Sequence, residues 1–173
     1  VNVVRIKQSA AFASGPNKYQ RSFGEKYFVN YSLLKFYGVL NEHNSALTGF
    51  SEEDAQELFE AMWNGTKNLM TSSKFGHMPR LLLRVEYNEP NYFIGELDSL
   101  IRLATKDNKT EESILSPLDY VVDVEELMAS LLDVKEKIGR VQIKYDKRLS
   151  LSQPITESLQ SARIEVEPFA FSR

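Results

Sequence analysis

The hydrophobic periodicity of the chain changes abruptly between residues 51–69 and residues 80–87. Apolar residues recur every three or four positions in the first segment, which predicts a helix with one buried face. Ser51 is suited to cap this helix, because Asp54 follows three positions later and can complete a capping box. From residue 80 to residue 87 apolar and polar residues alternate, which predicts a half-buried strand. Any fold for this chain must therefore contain this helix and this strand, joined by the short linker between them.

The other patterns predict further strands and helices around this pair. Trp63, next to the apolar stripe of the first helix, is expected in the core. Strands are predicted over residues 1–8, a long bent stretch from Tyr27 to Leu40, residues 92–97 as the hairpin partner of 80–87, residues 118–122, residues 141–145 and an edge strand around 163–167. The segments between them are predicted to be an exposed loop over 9–26, a polar loop from Asn41 to Gly49, a short helical piece from Asp98 to Thr105, and a second helix from the cap Asp123 to Gly139. This order predicts an α+β fold with an RRM-like or ferredoxin-like unit.

Composition excludes several classes of protein. The 173 residues include no cysteine, which excludes disulfides, thiolate nucleophiles and zinc–sulfur sites and agrees with a reducing compartment. No run of about 18 apolar residues is present, so no membrane-spanning helix is expected. The chain begins with the strand-like run at Val1 and not with Met. We therefore expect it to be a piece of a longer protein.

Charge is separated along the chain although the net charge is only −3. Residues 67–84 hold four bases and no acid, whereas residues 41–66 hold six acids and no lysine or arginine. A basic surface beside a helix end suits a phosphate chain, but solvated helix faces give similar patterns. The loop over residues 9–26 mixes aromatic and basic side chains, a combination typical of single-stranded nucleic-acid binding. The alternative is that this loop packs back on its own domain.

Catalytic chemistry has little support in the residues. The histidines are His43, predicted to be solvated in a polar loop, and His77, in the basic linker. The paired acids at 111–112 and 125–126 are interpreted as loop and helix-start charges. No spacing indicates a metal cluster or a glycine-rich nucleotide site, so we expect a protein that is not an enzyme and needs no cofactor or metal.

Three stretches resemble a known family. EAMWNGTKNLMTSSKFGHMPRLLLRVEY, then YFIGELDSLI, and upstream AFASG with QRSFGEKYFVNYSLLKFYG, are similar to the crRNA-binding backbone subunit of the type I-B CRISPR Cascade complex, a member of the RAMP superfamily. The resemblance extends from about Ala10 to Leu149. It implies the C-terminal portion of the family fold, with an N-terminal part absent.

The resemblance implies a domain plan and a role. Residues 1–26 would form a strand and a thumb-like loop or hairpin, residues 27–149 an RRM/ferredoxin-like palm with an antiparallel sheet and two main helices, and residues 150–173 a tail without assignment. The implied role is a non-catalytic scaffold in the prokaryotic cytoplasm, away from membranes. Its implied partners are crRNA, further copies of itself, other Cascade subunits, and target DNA recognised through guide pairing.

The resemblance also implies RNA-binding residues. Phe12 would be a wedge between bases, with phosphate contacts from Lys18, Arg21 and Lys26. The palm surface near the RNA would contain Lys67, Asn68, Lys74, His77 and Arg80. Two other functions stay open: an RNA endonuclease like the type III relatives, and a protein-interaction module that binds no nucleic acid.

Overall fold

The structure of the chain is a computed structural model that describes residues 2–8, 22–29, 31–71, 74 and 76–171. For 2–8 and 22–28 the description covers the backbone. The predicted wedge Phe12 and the predicted phosphate contacts Lys18 and Arg21 lie outside the described residues. So does the loop over 9–21 that would form the thumb.

The described residues form a mixed α+β fold, as the sequence predicts. The strands are β1 (Asn2–Gln8), β2 (Ser22–Phe28), β3 (Leu81–Tyr87), β4 (Arg102–Thr105), β5 (Tyr120–Asp123), β6 (Ile138–Tyr145) and β7 (Glu165–Pro168). The α-helices are α1 (Glu42–Thr48), α2 (Glu52–Asn68), α3 (Glu125–Asp133) and α4 (Ile155–Ser161). Short 3-10 turns span Glu111–Ser113, Pro117–Asp119 and Lys135–Lys137. No helix in these ranges is both long enough and apolar enough to cross a bilayer.

The main sheet has the order β3–β6–β7. Strand β6 pairs antiparallel with β3, with Leu81 opposite Tyr145, and parallel with β7, with Arg140 opposite Glu165. Strands β1 and β2 form a separate antiparallel pair, and so do β4 and β5. The predicted hairpin between residues 80–87 and 92–97 is therefore wrong. Tyr92 instead packs edge-on against Tyr87, with ring centroids 5.4 Å apart, and residues 92–94 form no strand.

The hydrophobic core lies on one face of this sheet. Alternate residues of β3 and β6 point to that face, where they pack against α3, α4 and β5. The fully buried side chains of this core include Tyr120, Val124, Leu127, Met128, Leu131, Val141, Ile155 and Leu159. Five of them come from helices α3 and α4, which precede and follow β6 in the sequence, so this core depends on both helices.

Helix α2 contacts the other face of the sheet through polar and aromatic side chains. Gln56 donates to Gln142, and the Phe59 ring lies 5.4 Å from that of Phe169. Ala55 is buried, but Leu58 and other members of the predicted apolar stripe are exposed. Trp63 is half-buried and is not part of the core. The helix was predicted correctly, but most of its stripe is not buried in the described residues.

Three further predictions between residues 27 and 105 are wrong. Strand β2 ends at Phe28, and residues 31–40 form neither a helix nor a strand, although some of their side chains bind across the fold. Tyr31 Oη and Tyr120 Oη are 2.8 Å apart, and Lys35 donates to the carbonyl of Ile101. The predicted polar loop from 41 to 49 contains α1, closed by Gly49 at φ 73°. The predicted helical piece ends instead in β4, because Arg102–Thr105 pairs with β5.

The predictions for the last third of the chain need smaller corrections. Helix α3 ends at Asp133 and not near Gly139, because Ile138 already belongs to β6. Its N-cap is Val124, while Asp123 accepts a hydrogen bond from the Glu125 N–H. The predicted edge strand corresponds to β7, and α4 was not predicted.

Candidate nucleic-acid interface

One end of the main sheet collects basic side chains from separate parts of the chain. Strand β3 starts at this end, while β6 and β7 finish there, because Leu81 pairs with Tyr145 and β7 runs parallel to β6. Residues just before β3 and just after β6 therefore lie together. We call this end the basic edge and define it by the side chains of Lys67, Lys74, His77, Arg80, Lys144, Lys147 and Arg148.

The linker from α2 to β3 supplies the first group of these residues. Lys67 is in the last turn of α2, where a cation suits the helix dipole. The linker then makes short turns, in which the Lys74 N–H donates to Thr71 and the His77 N–H donates to Lys74. Lys67, Lys74 and His77 are all exposed. Their side chains are thus open to a ligand.

Arg80 differs from the other predicted contacts because its guanidinium is already paired. It donates to Asp146, and the two side chains are only 13% and 14% exposed. Asp146 also accepts from Arg148, through Nη2 at 3.1 Å and through the backbone N–H at 3.0 Å. Burial would raise the pKa of Asp146, but the hydrogen bonds from Arg148 and Arg80 hold this pKa at about 2. Asp146 is therefore ionised at neutral pH and binds both arginines.

Aromatic rings flank the basic edge on the side of α2. The Lys144 ammonium lies 4.7 Å from the ring centroid of Phe171 and 5.5 Å from that of Trp63. The two rings are 6.5 Å apart and tilted. Lys67 follows Trp63 by four residues in α2, so the two side chains share one helix face. Cations beside aromatic faces are the combination that holds phosphates while bases stack.

The structure brings some of the predicted binding residues together and not others. Lys67, Asn68, Lys74, His77 and Arg80 all lie between the end of α2 and the start of β3, and Asn68 is exposed as the last residue of that helix. Lys26 lies in β2 opposite Val4, and its side chain is outside the description. The linker set and the N-terminal set are therefore not joined into one site by any described contact.

Sequence reasoning missed the part of the basic edge that comes from β6. Lys144, Lys147 and Arg148 form the run KYDKR at the end of a predicted strand. The run was visible in the sequence, but its position beside the linker follows from the pairing of β3 with β6. Trp63 and Phe171 were missed for the same reason, since they are more than 100 residues apart in the chain.

The described residues contain no cluster of histidine and acidic side chains of the kind that usually binds a metal ion. No group of three or more histidine or acidic side chains comes together in this part of the chain. His43 hydrogen-bonds Asn91 at the surface, far in sequence from the basic edge, and His77 is exposed. Neither histidine contacts a hydroxyl nucleophile among the hydrogen bonds of the described residues.

The fold and this surface define an α+β protein with a basic, aromatic-flanked sheet end suited to a polyanion. The sequence model of the family described as CRISPR-associated protein Cas7 matches residues 1–125. The chain belongs to this family. Linker residues 67–80 of the basic edge lie inside the match, whereas Lys144, Lys147 and Arg148 lie beyond it.

A curated relative gives the same result. The CRISPR-associated protein Cas7 of Haloferax volcanii is 37% identical over 124 residues, which are 71% of this chain and 36% of the relative. The chain thus matches about a third of that relative's length. The resemblance to a CRISPR backbone subunit is confirmed at the level of the family, and the I-B subtype stays a prediction.

Proposed function

We propose that this chain is a non-catalytic RNA-binding scaffold of a CRISPR surveillance complex, and that it holds the backbone of the crRNA at the basic edge. The observation that carries the proposal is the convergence of exposed cations from two chain segments at one sheet end. Family membership supports it, because the relative and the family both bear the name CRISPR-associated protein Cas7. The partners would be crRNA, other copies of the chain and other subunits of a Cascade assembly in the prokaryotic cytoplasm, with target DNA recognised through pairing to the guide.

The proposed palm is the β3–β6–β7 sheet with α3 and α4 behind it. Its RRM-like character is supported by the antiparallel pairing of β3 with β6 and by two helices packed on one face. The opposite face contacts α2, so RNA would lie at the end of the sheet and not across this face. Phosphate contacts of this kind fix register without reading bases, which leaves sequence recognition to pairing.

Binding to single-stranded RNA at two salt concentrations tests the proposal. We expect a guide-length RNA to bind with little sequence preference, and its affinity to fall between about 50 and 200 mM salt because phosphate contacts release counterions. Lys147→Glu should weaken binding and reduce the slope of log affinity against log salt by about 0.7. Lys135→Glu is the matched control, because this exposed lysine precedes β6 and lies at its opposite end.

Two results would count against the proposal. Absence of binding at low salt would show that the described surface does not hold RNA. Equal losses for Lys147→Glu and Lys135→Glu would show that net charge, and not the basic edge, controls affinity.

The non-catalytic part of the proposal has its own test. A type III-like endonuclease would shorten a labelled target RNA when a divalent metal is added. We expect the RNA to keep its length with Mg²⁺ or Mn²⁺ over many binding half-lives. Metal-dependent cleavage that copurifies with the chain and changes with its mutations would overturn this expectation.

A further inference from the structure

We propose that Asp146 is a positioning residue of the basic edge. Arg80 fixes Asp146 in place, and Asp146 in turn aims the guanidinium of Arg148 at an RNA phosphate. The inference rests on the proposed function and assigns separate roles to two arginines at the same site. Arg148 contacts the phosphate, and Arg80 acts through Asp146.

Arg80 holds Asp146 by side chain and by backbone. Its guanidinium donates to Oδ2 of Asp146, and the Asp146 N–H donates to the Arg80 carbonyl at 2.9 Å. Both side chains are mostly withdrawn from water, so their attraction is only weakly screened. Asp146 is therefore held at the start of β3, and its carboxylate has little freedom to move with the Arg148 side chain.

Asp146 in turn fixes one edge of Arg148. Arg148 Nε and Nη2 lie 3.4 and 3.1 Å from the two carboxylate oxygens, and its backbone N–H donates to Oδ1 at 3.0 Å. A guanidinium has five N–H donors in a rigid fork, so the Nη1 side remains available. The Arg148 side chain is 61% exposed. It can therefore keep its contact with Asp146 and still donate to a phosphate.

This arrangement predicts that replacing Asp146 changes the affinity for RNA in the direction opposite to that expected from charge alone. Replacing Asp146 with Asn makes the basic edge more positive by one charge, which by itself would tighten RNA binding. If Asp146 positions Arg148, the same change weakens binding, because the freed arginine must lose its rotamer freedom when it meets the phosphate. The direction of the change in affinity thus separates the two explanations.

The experiment compares the full chain with Asp146→Asn and Asp133→Asn, using fluorescence anisotropy with a labelled guide-length oligouridine. We expect Asp146→Asn to bind about two- to tenfold more weakly than the wild type. Asp133→Asn removes the same charge at the end of α3, before β6 begins, and should bind as tightly as the wild type or slightly tighter. Equal or tighter binding by Asp146→Asn overturns the positioning role but leaves the proposed function standing. If the wild type binds no RNA, both fail.

Arg148→Lys keeps the test decisive if Asp146→Asn does not fold. This variant preserves the charge of an exposed side chain but removes the planar fork that contacts both Asp146 and a phosphate. We expect weaker RNA binding with an unchanged thermal unfolding midpoint. Wild-type affinity in Arg148→Lys would contradict the proposal. Thermal unfolding of all variants identifies any loss of affinity that comes from loss of structure.

Discussion

At the scale of single residues, charges of alternating sign hold the sheet face that α2 contacts. Arg84 binds both carboxylate oxygens of Glu52 at 2.6 and 2.7 Å and reaches Glu86 at 3.1 Å. Arg140 continues the network, binding Glu86 at 2.8 Å and Glu167 at 2.9 Å. The network thereby ties α2 to β3, β6 and β7. Gln142 is buried beside Arg84 and accepts a hydrogen bond from it at 3.2 Å. Polar contacts therefore determine how α2 packs on this face of the sheet.

Arg84→Met tests the strength of this network. Arg84 is mostly buried, so its removal takes the guanidinium partner from Glu52 and leaves Glu86 paired with Arg140 alone, and we expect the free energy of unfolding to fall by about 2 to 3 kcal/mol. Arg102→Met is the control, because Arg102 pairs with Glu126 at the exposed surface and should change stability by less than about 1 kcal/mol. Urea unfolding of both variants measures the difference. Similar small losses would mean that α2 is held mainly by its aromatic contacts.

Asp146 gives a prediction on pH at the same scale. Its pKa is lowered from 3.8 to about 2 in the folded state, so the unfolded chain binds more protons and the stabilisation is lost as the pH falls from about 4 to 2. The contribution at neutral pH is about 2 kcal/mol. The free energy of unfolding of Asp146→Asn should therefore fall less than that of the wild type between pH 6 and pH 2. An identical fall in both would show that Asp146 has an ordinary pKa.

At the scale of elements, α2 illustrates a helix whose start is set by local sequence. The Ser51 side chain accepts from the Asp54 N–H at 3.1 Å, and the Asp54 side chain accepts from the Ser51 N–H at 2.8 Å. Ser51→Ala should lower the free energy of unfolding by about 1 kcal/mol, because an N–H at the helix start loses its acceptor. Thr66→Ala, at an exposed position of the same helix, should change it by less than about 0.5 kcal/mol. Chemical denaturation distinguishes the two, and equal effects would contradict the capping role.

The elements also show where sequence reasoning succeeds and where it fails. Helix α2 and strands β3 and β6 were predicted because their periodicities are long enough to read locally. Helix α1 has seven residues and no buried side chain, so it produced no apolar stripe. Strand pairing was predicted wrongly because the partner of β3 lies more than 50 residues away, in β6.

The residues of the candidate site were also predicted in part and missed in part. The bases of the linker lie in a segment that contains no acid, and they were predicted as a group. Arg80 was predicted as a direct contact, but the structure pairs it with Asp146, a partner 66 residues later in the chain. Residues from β6 and from the C-terminal end of the chain lie at the site only because of the tertiary structure. Local patterns therefore predicted which charged residues cluster in the sequence. They did not predict which of these residues remain free of an ion pair in the folded chain.

At the scale of the whole molecule, the last residues complete the core. Ile155, Leu159 and Ile164 are buried in this core, and β7 extends the main sheet in parallel to β6. Before them, the Ser152 N–H donates to the Val122 carbonyl at 3.0 Å. Residues 150–171, which could not be assigned from the sequence, are thus packed on both α3 and the sheet. A core of this kind is shared between distant segments, so its loss should be cooperative.

Deletion of residues 154–173 tests this dependence on the last segment. The deletion removes α4 and β7 and exposes the buried faces of Leu127, Leu131 and Val141, so we expect no cooperative unfolding transition in calorimetry. Leu159→Ala examines the same contact without shortening the chain and should cost about 2 to 5 kcal/mol, because Leu159 is fully buried. Leu115→Ala, at an exposed leucine, should cost less than about 0.5 kcal/mol. A deleted chain that still unfolds cooperatively near the wild-type temperature would show that residues 154–173 pack on a domain that is already complete.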